Sequence, residues 1–185
     1  MDLTPAVPAP SDAPLKVAAI LGSNREGRFG PVVARWFLAR AAGHPDLDVE
    51  LVDVADAEPP SGRLARADAF VVLTPEYNHS YPAPLKELID GHFAEWQAKP
   101  VAFVSYGGIS GGLRAVEHLR QVFAELHAVS VRDTVSFHNA GALFDDRGRL
   151  GDPAAAEAAV KTMLDQLVWW GRALREARNL RPYSG

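Results

Sequence analysis

Three short segments of the 185-residue chain concentrate residue types that could do chemistry. The first is Gly22-Ser23-Asn24-Arg25-Glu26-Gly27-Arg28-Phe29-Gly30. A glycine-flanked turn that runs into a helix presents backbone N–H groups beside a positive helix end, where anions are favoured. Ser23 adds a hydroxyl, while Arg25 and Arg28 add planar, fork-shaped cations that match phosphate oxygens. On its own residues the segment reads as a phosphate cup, with a solvated turn that happens to hold two arginines as the competing account. Its glycines follow neither G-x-G-x-x-G nor G-x-x-x-x-G-K-S/T, so the dinucleotide and nucleoside triphosphate fingerprints are both absent. One terminal phosphate, as on a mononucleotide, suits it best.

The second segment is Thr74-Pro75-Glu76-Tyr77-Asn78-His79-Ser80-Tyr81-Pro82, a proline-bracketed turn with two tyrosines. A rigid aromatic turn can support a flat heterocycle and offer backbone donors and acceptors to its polar edge. A capped turn before a helix opened by Pro82 is compatible with that role. The third, Ser105-Tyr106-Gly107-Gly108-Ile109-Ser110-Gly111-Gly112, has four glycines in eight residues, which lets backbone approach a planar ligand where any Cβ would collide. It also matches G-x-S-x-G over Gly108 to Gly112, the nucleophile elbow of serine hydrolases. That reading makes Ser110 a nucleophile and needs an acid and then a histidine on later loops. Asp133 and His138 are only five residues apart, and no histidine follows Asp145 or Asp146, so the triad has poor partners.

Other chemistry is excluded more simply. With no cysteine, thiolate nucleophiles, disulfides and Cys-dependent metal sites are ruled out. The six histidines show no metal-ligand spacing; His118 and His127 read as helix residues, and His79 alone falls in a candidate binding turn. No metal site is expected. A formal charge of −4 argues against a nucleic-acid or anionic-membrane surface, and no apolar run is long enough to span a bilayer. Without cysteines or an address signal, the expected compartment is the cytoplasm.

The elements that must position the three segments follow from periodicity. Prolines 5, 8, 10 and 14 make residues 1–14 an expected flexible, extended arm, and residues 15–185 the expected single domain. Short apolar runs at 15–21, 48–53, 69–74, 100–105 and 129–135 alternate with helical stripes at 31–42, 82–93, 113–126 and 153–178. Val33, Trp36 and Phe37, then Leu85, Leu88, Ile89 and Phe93, then Val116, Leu119, Phe123 and Leu126 mark the first three core stripes. Such alternation predicts an α/β fold with a five-stranded parallel sheet covered on both faces. The connection 54–68 is short and interrupted by proline and glycine, so its crossover helix should be abbreviated. All three segments then leave C-terminal strand ends, the edge where open α/β sheets bind ligands.

Together, LGSNREGRFG, TPEYNHSYPAPLKELID and SYGGISGG resemble the NADPH-dependent FMN reductase family over roughly Lys16 to Phe137. The resemblance implies a flavodoxin-like three-layer α/β/α sandwich of strand order 2-1-3-4-5 with FMN at the switch point. It implies FMN phosphate contacts at Ser23 and Arg25, with Arg28, Phe29 and Gly30 completing the first loop. Pro75, Glu76, Tyr77 and Asn78 would lie along the isoalloxazine, largely through backbone groups, and Ser105, Tyr106, Gly107 and Gly108 would close its other side. Many relatives carry serine at the Arg28 position and asparagine at Gly30, and a longer connection where this chain has 54–68. NADPH or NADH would deliver hydride to FMN, and a small acceptor such as free flavin, a quinone, an azo compound or a metal oxyanion would take the electrons. No side-chain nucleophile is needed, because the cofactor carries the hard step. A homodimer or homotetramer is implied as well. The competing reading within the same fold is a flavin-carrying electron-transfer protein without its own NAD(P)H activity.

Overall fold

The computed structural model describes residues 13–184, so most of the expected N-terminal arm lies outside the described residues. The sheet has strands β1 (Leu15–Leu21), β2 (Leu47–Asp53), β3 (Ala69–Pro75), β4 (Pro100–Tyr106), β5 (Val129–Ser130) and β6 (Val135–Phe137). All pairings are parallel, in the order β2-β1-β3-β4-β5, with β6 also on β4. β3 and β4 are buried at all seven positions, as central strands covered on both faces should be.

Side chains alternate across the sheet, which builds two cores. Leu15, Val17, Ala19 and Leu21 of β1 face α1 (Gly30–Ala41) and α6 (Ala154–Leu180), meeting Val33, Phe37, Met163 and Leu167. Ala18 and Ile20 face the other side, where α2 (Ser61–Arg66), α3 (Ala83–Asp90) and α4 (Leu113–Glu125) bring Leu64, Leu85, Ile89, Leu119 and Phe123. The result is the expected three-layer, flavodoxin-like arrangement, with α2 reduced to six residues.

Three expectations need correction. The fifth strand is split, because Arg120 donates to the carbonyls of Val131 and Arg132 while Asp133 exchanges hydrogen bonds with the Gln166 amide. Side chains thus satisfy backbone groups that would otherwise need the ladder. α3 stops at Asp90, and Phe93 is 53% exposed rather than core. The indole of Trp96 caps that end, donating to the carbonyls of Ile89 (3.1 Å) and His92 (2.9 Å) while its ring fills the space between Phe70 and Phe123. His127 lies beyond α4 with φ 61°, in the left-handed turn that ends it.

Candidate active site

Parallel register brings the three strand ends together: Leu21 lies opposite Leu73, Thr74 opposite Ser105 and Pro75 opposite Tyr106. The loops that follow are therefore neighbours around one crevice. After β1, the N–H groups of Asn24, Glu26 and Gly27 have no protein acceptor among the described residues. Pro31, which has no N–H, opens α1 just beyond them, and no acidic residue occupies that first turn. Ser23 is 1% exposed, its Oγ 2.7 Å from the Tyr77 hydroxyl.

The two arginines of this loop are placed differently. Arg25 is exposed and makes no ion pair among the described residues, its guanidinium standing 6.0 Å from the Tyr77 ring centroid. Arg28 is turned inward: Nη1 and Nη2 donate to Asp53 Oδ1 and Oδ2 at 2.6 and 2.5 Å, and Nη1 also donates to the Ser23 carbonyl. That bidentate pair ties the cup to the end of β2, leaving Arg25 as the cation free to meet an anion. Phe29 packs its ring against Phe144 (5.6 Å) and Tyr106 (6.3 Å). A Cβ at Gly30 would come within 2.7 Å of both Leu21 Cδ1 and the Tyr106 hydroxyl, so a larger residue there would make those two side chains shift.

After β3, Tyr77 and Ser80 exchange backbone hydrogen bonds at 3.0 Å around Asn78 (φ 49°) and His79 (φ 72°). Two consecutive left-handed residues make a tight primed turn without glycine, built from asparagine and histidine, which enter that region more readily than most side chains. Their N–H groups are unpaired among the described residues. Ser80 Oγ reaches His118 Nδ1 on α4 at 3.1 Å. The Glu76 carboxylate points across the crevice, accepting from Ser110 Oγ at 2.6 Å and pairing with Arg114 Nε at 2.7 Å.

After β4, the side chains of Ser105 and Tyr106 are not in the crevice. Tyr106 is 4% exposed in the α1/α6 core, its hydroxyl has no partner among the described residues, and burial raises its phenol above the ordinary range. Ser105 is fully buried and donates to the Gly111 carbonyl at 2.8 Å, which also accepts from Ser136 Oγ at 2.8 Å. What the loop offers is backbone: Gly108, Ile109 and Ser110 have N–H groups without protein acceptors among the described residues, and a Cβ at Gly108 would meet open space. Ser110 hydrogen-bonds to Glu76, not to a histidine; His138 instead meets the Ile109 carbonyl and Ser136. The hydrolase arrangement is not formed.

Asp53, Arg114 and Ser136 escaped sequence reasoning, since each acts on a loop remote in the chain and none belongs to a local motif. Among the described residues, no group of three or more acidic or histidine side chains is placed to hold a metal.

The sequence model described as NADPH-dependent FMN reductase matches residues 15–61 and 58–142. The chain belongs to the NADPH-dependent FMN reductase family. An NAD(P)H-dependent FMN reductase of Pseudomonas aeruginosa is 32% identical over 87% of this chain and 97% of its own length. The NADPH:quinone oxidoreductase of Arabidopsis thaliana is 31% identical over 81% of this chain and 89% of its own. An NAD(P)H-dependent FMN reductase of Schizosaccharomyces pombe is 34% identical over 52% of this chain, which spans 60% of that protein. Among solved structures, FerB, a flavoenzyme NAD(P)H:acceptor oxidoreductase of Paracoccus denitrificans, superposes with a TM-score of 0.69 at 22% identity, covering 86% of this chain and 98% of that one. Flavodoxin 1 of Bacillus cereus shares the fold at a TM-score of 0.57 and 15% identity over 82% of this chain and 97% of its own. Membership of the FMN reductase family makes the chain an oxidoreductase dependent on FMN and NAD(P)H. No helix among the described residues is long and apolar enough to cross a membrane.

Proposed function

We propose that the protein holds FMN in the crevice at the ends of β1, β3 and β4 and passes hydride from NADPH or NADH to a small acceptor, of which quinones are the leading class. The observation that carries this reading is the pairing of Arg25, a cation without an ion pair among the described residues, with the unpaired N–H groups of Asn24, Glu26 and Gly27. A single phosphate fits such a cup. FMN supplies the hydride-accepting ring, so the protein needs neither a nucleophile nor a metal.

The chain's own residues bind and orient. Arg25 and the turn N–H groups anchor the phosphate, and Ser23, held by Tyr77, sets the depth of the cup. The turn at Tyr77 to Ser80 and the glycine loop would hold the ring, and their free N–H groups would supply donors for its polar edge, where preorganised donors stabilise developing negative charge. Arg28 shapes the cup through Asp53 instead of meeting the ligand. The quinone preference is supported by the similarity to the NADPH:quinone oxidoreductases of rice and Arabidopsis. Self-association belongs to the same reading, since Ile109 (87% exposed), Leu113 and Leu143 leave apolar surface near the crevice; sedimentation with and without FMN measures it.

An absorbance spectrum of the FMN-loaded protein, before and after anaerobic NADPH or NADH, tests the reading. Bleaching of the flavin bands is the expected result. Flavin that binds but stays oxidised with both donors would leave only an electron carrier, and failure to bind FMN would overturn the assignment.

A further inference from the structure

We propose that Glu76 is a positioning residue whose side chain caps α4 from across the crevice and so holds the glycine loop 107–112 in its ligand-ready shape. The proposal rests on the FMN reading above for its consequence, though not for its geometry.

Helix α4 cannot cap itself. Its N-cap residue, Gly112, has φ 84°, and a Cβ there would lie 2.7 Å from Ser105 Cβ and 3.0 Å from the Tyr106 nitrogen. Glycine is therefore required, and glycine brings no side chain to bond the first-turn N–H groups. Glu76, 34 and 38 residues away in sequence from its two partners, supplies the missing acceptor. Its Oε2 accepts from the N–H of Arg114, the second helical residue, at 3.3 Å, and from Ser110 Oγ at 2.6 Å. Oε1 pairs with Arg114 Nε at 2.7 Å, and the Glu76 side chain is only 7% exposed.

A carboxylate so buried needs such partners to stay ionised. Burial alone would raise its pKa, but the Ser110 hydroxyl and Arg114 outweigh it and hold the carboxyl below its ordinary value. The loop it fastens is otherwise expensive to order, with glycine at four of its six positions, 107, 108, 111 and 112. The other end of the loop is already tied: Gly107 and Gly108 carbonyls accept from the N–H groups of Ala140 and Asn139. At the far end the Gly111 carbonyl accepts from Ser105 and Ser136, and Glu76 adds the tie to Ser110 and the first turn of α4, from the same turn that flanks the ligand on the opposite side. A loop that samples open states binds more weakly in proportion to its competent fraction.

Two measurements on each variant decide it: amide hydrogen exchange of residues 107–114 without FMN, and the FMN dissociation constant by fluorescence titration. Glu76→Ala should speed exchange in 107–114 and weaken FMN by about tenfold or more, as loss of a charge-assisted bond does. Glu76→Gln, which keeps an oxygen for Ser110 and the Arg114 N–H, should stay within about threefold of the natural protein. Unchanged exchange and affinity in Glu76→Ala would overturn the proposal. Weaker FMN with unchanged exchange would overturn it too, because Glu76 would then be touching the ligand directly. Should Glu76→Ala fail to fold, Ser110→Ala decides, with faster exchange expected and unchanged exchange fatal. Absence of FMN binding by the natural protein would sink the functional reading alone, since exchange still reports the cap.

Discussion

The hydroxyl oxygens of Ser23 and Tyr77 lie 2.7 Å apart, joining the turn after β1 to the turn after β3. Only one of the two protons can lie between them. With Tyr77 donating, the Ser23 proton is free to point at a phosphate, so the tyrosine orients the serine. Tyr77→Phe should therefore weaken FMN by about 3- to 10-fold, the value of one ordinary hydrogen bond, with little change in melting temperature. A fluorescence titration that matches the natural protein would break this link.

Arg25 is exposed and free of ion pairs among the described residues, so the fold does not depend on it. Arg25→Ala should lower FMN affinity by roughly 10- to 100-fold, as expected for a charge-assisted contact, and leave urea unfolding within about 0.5 kcal/mol. Raising ionic strength should weaken FMN binding to the natural protein more than to this variant.

Arg28 behaves in the opposite way. Its bidentate partner is Asp53, with side-chain exposures of 19% and 13%, so removing either leaves a largely buried charge unpaired. We expect Arg28→Ala and Asp53→Ala each to destabilise by about 2 kcal/mol in urea melts. The double variant should lose less than the sum of the two, which a double-mutant cycle measures directly.

Lys99 sits on the far side of the molecule, 7% exposed, with Nζ donating to the carbonyls of Leu64 and Ala65 at the end of α2. Burial, aided by Arg178 and opposed by Asp68 and Glu95, pulls its pKa down to about 8. Unfolded, the lysine keeps its ordinary value near 10.4. From pH 8 to about 10 the unfolded chain therefore holds more protons at this site than the folded one, and its contribution makes stability rise with pH. Below pH 8 both states are protonated and the slope vanishes. Urea midpoints across pH 7 to 10, compared with those of Lys99→Met, isolate the effect; an equal slope in both would remove Lys99 as its source.

The sequence by itself determined the parts that rest on local patterns. Apolar runs at 15–21 and 100–105 became β1 and β4, because central strands need continuous apolar side chains on both faces. The glycines at 22–30 and 105–112 marked where backbone N–H groups would be exposed, since that depends on residue type more than on neighbours. The family motifs lie in the same three segments. Tertiary structure alone decided how the loops are bound to one another. Ser23 meets Tyr77, Arg28 meets Asp53, and Glu76 meets Ser110, across separations of 54, 25 and 34 residues. Nothing local selects those partners; parallel register does, by bringing the strand ends side by side. For the same reason Arg28 ties the cup to Asp53, Ser105 and Tyr106 turned into the core, and side chains from α4 and α6 split the fifth strand.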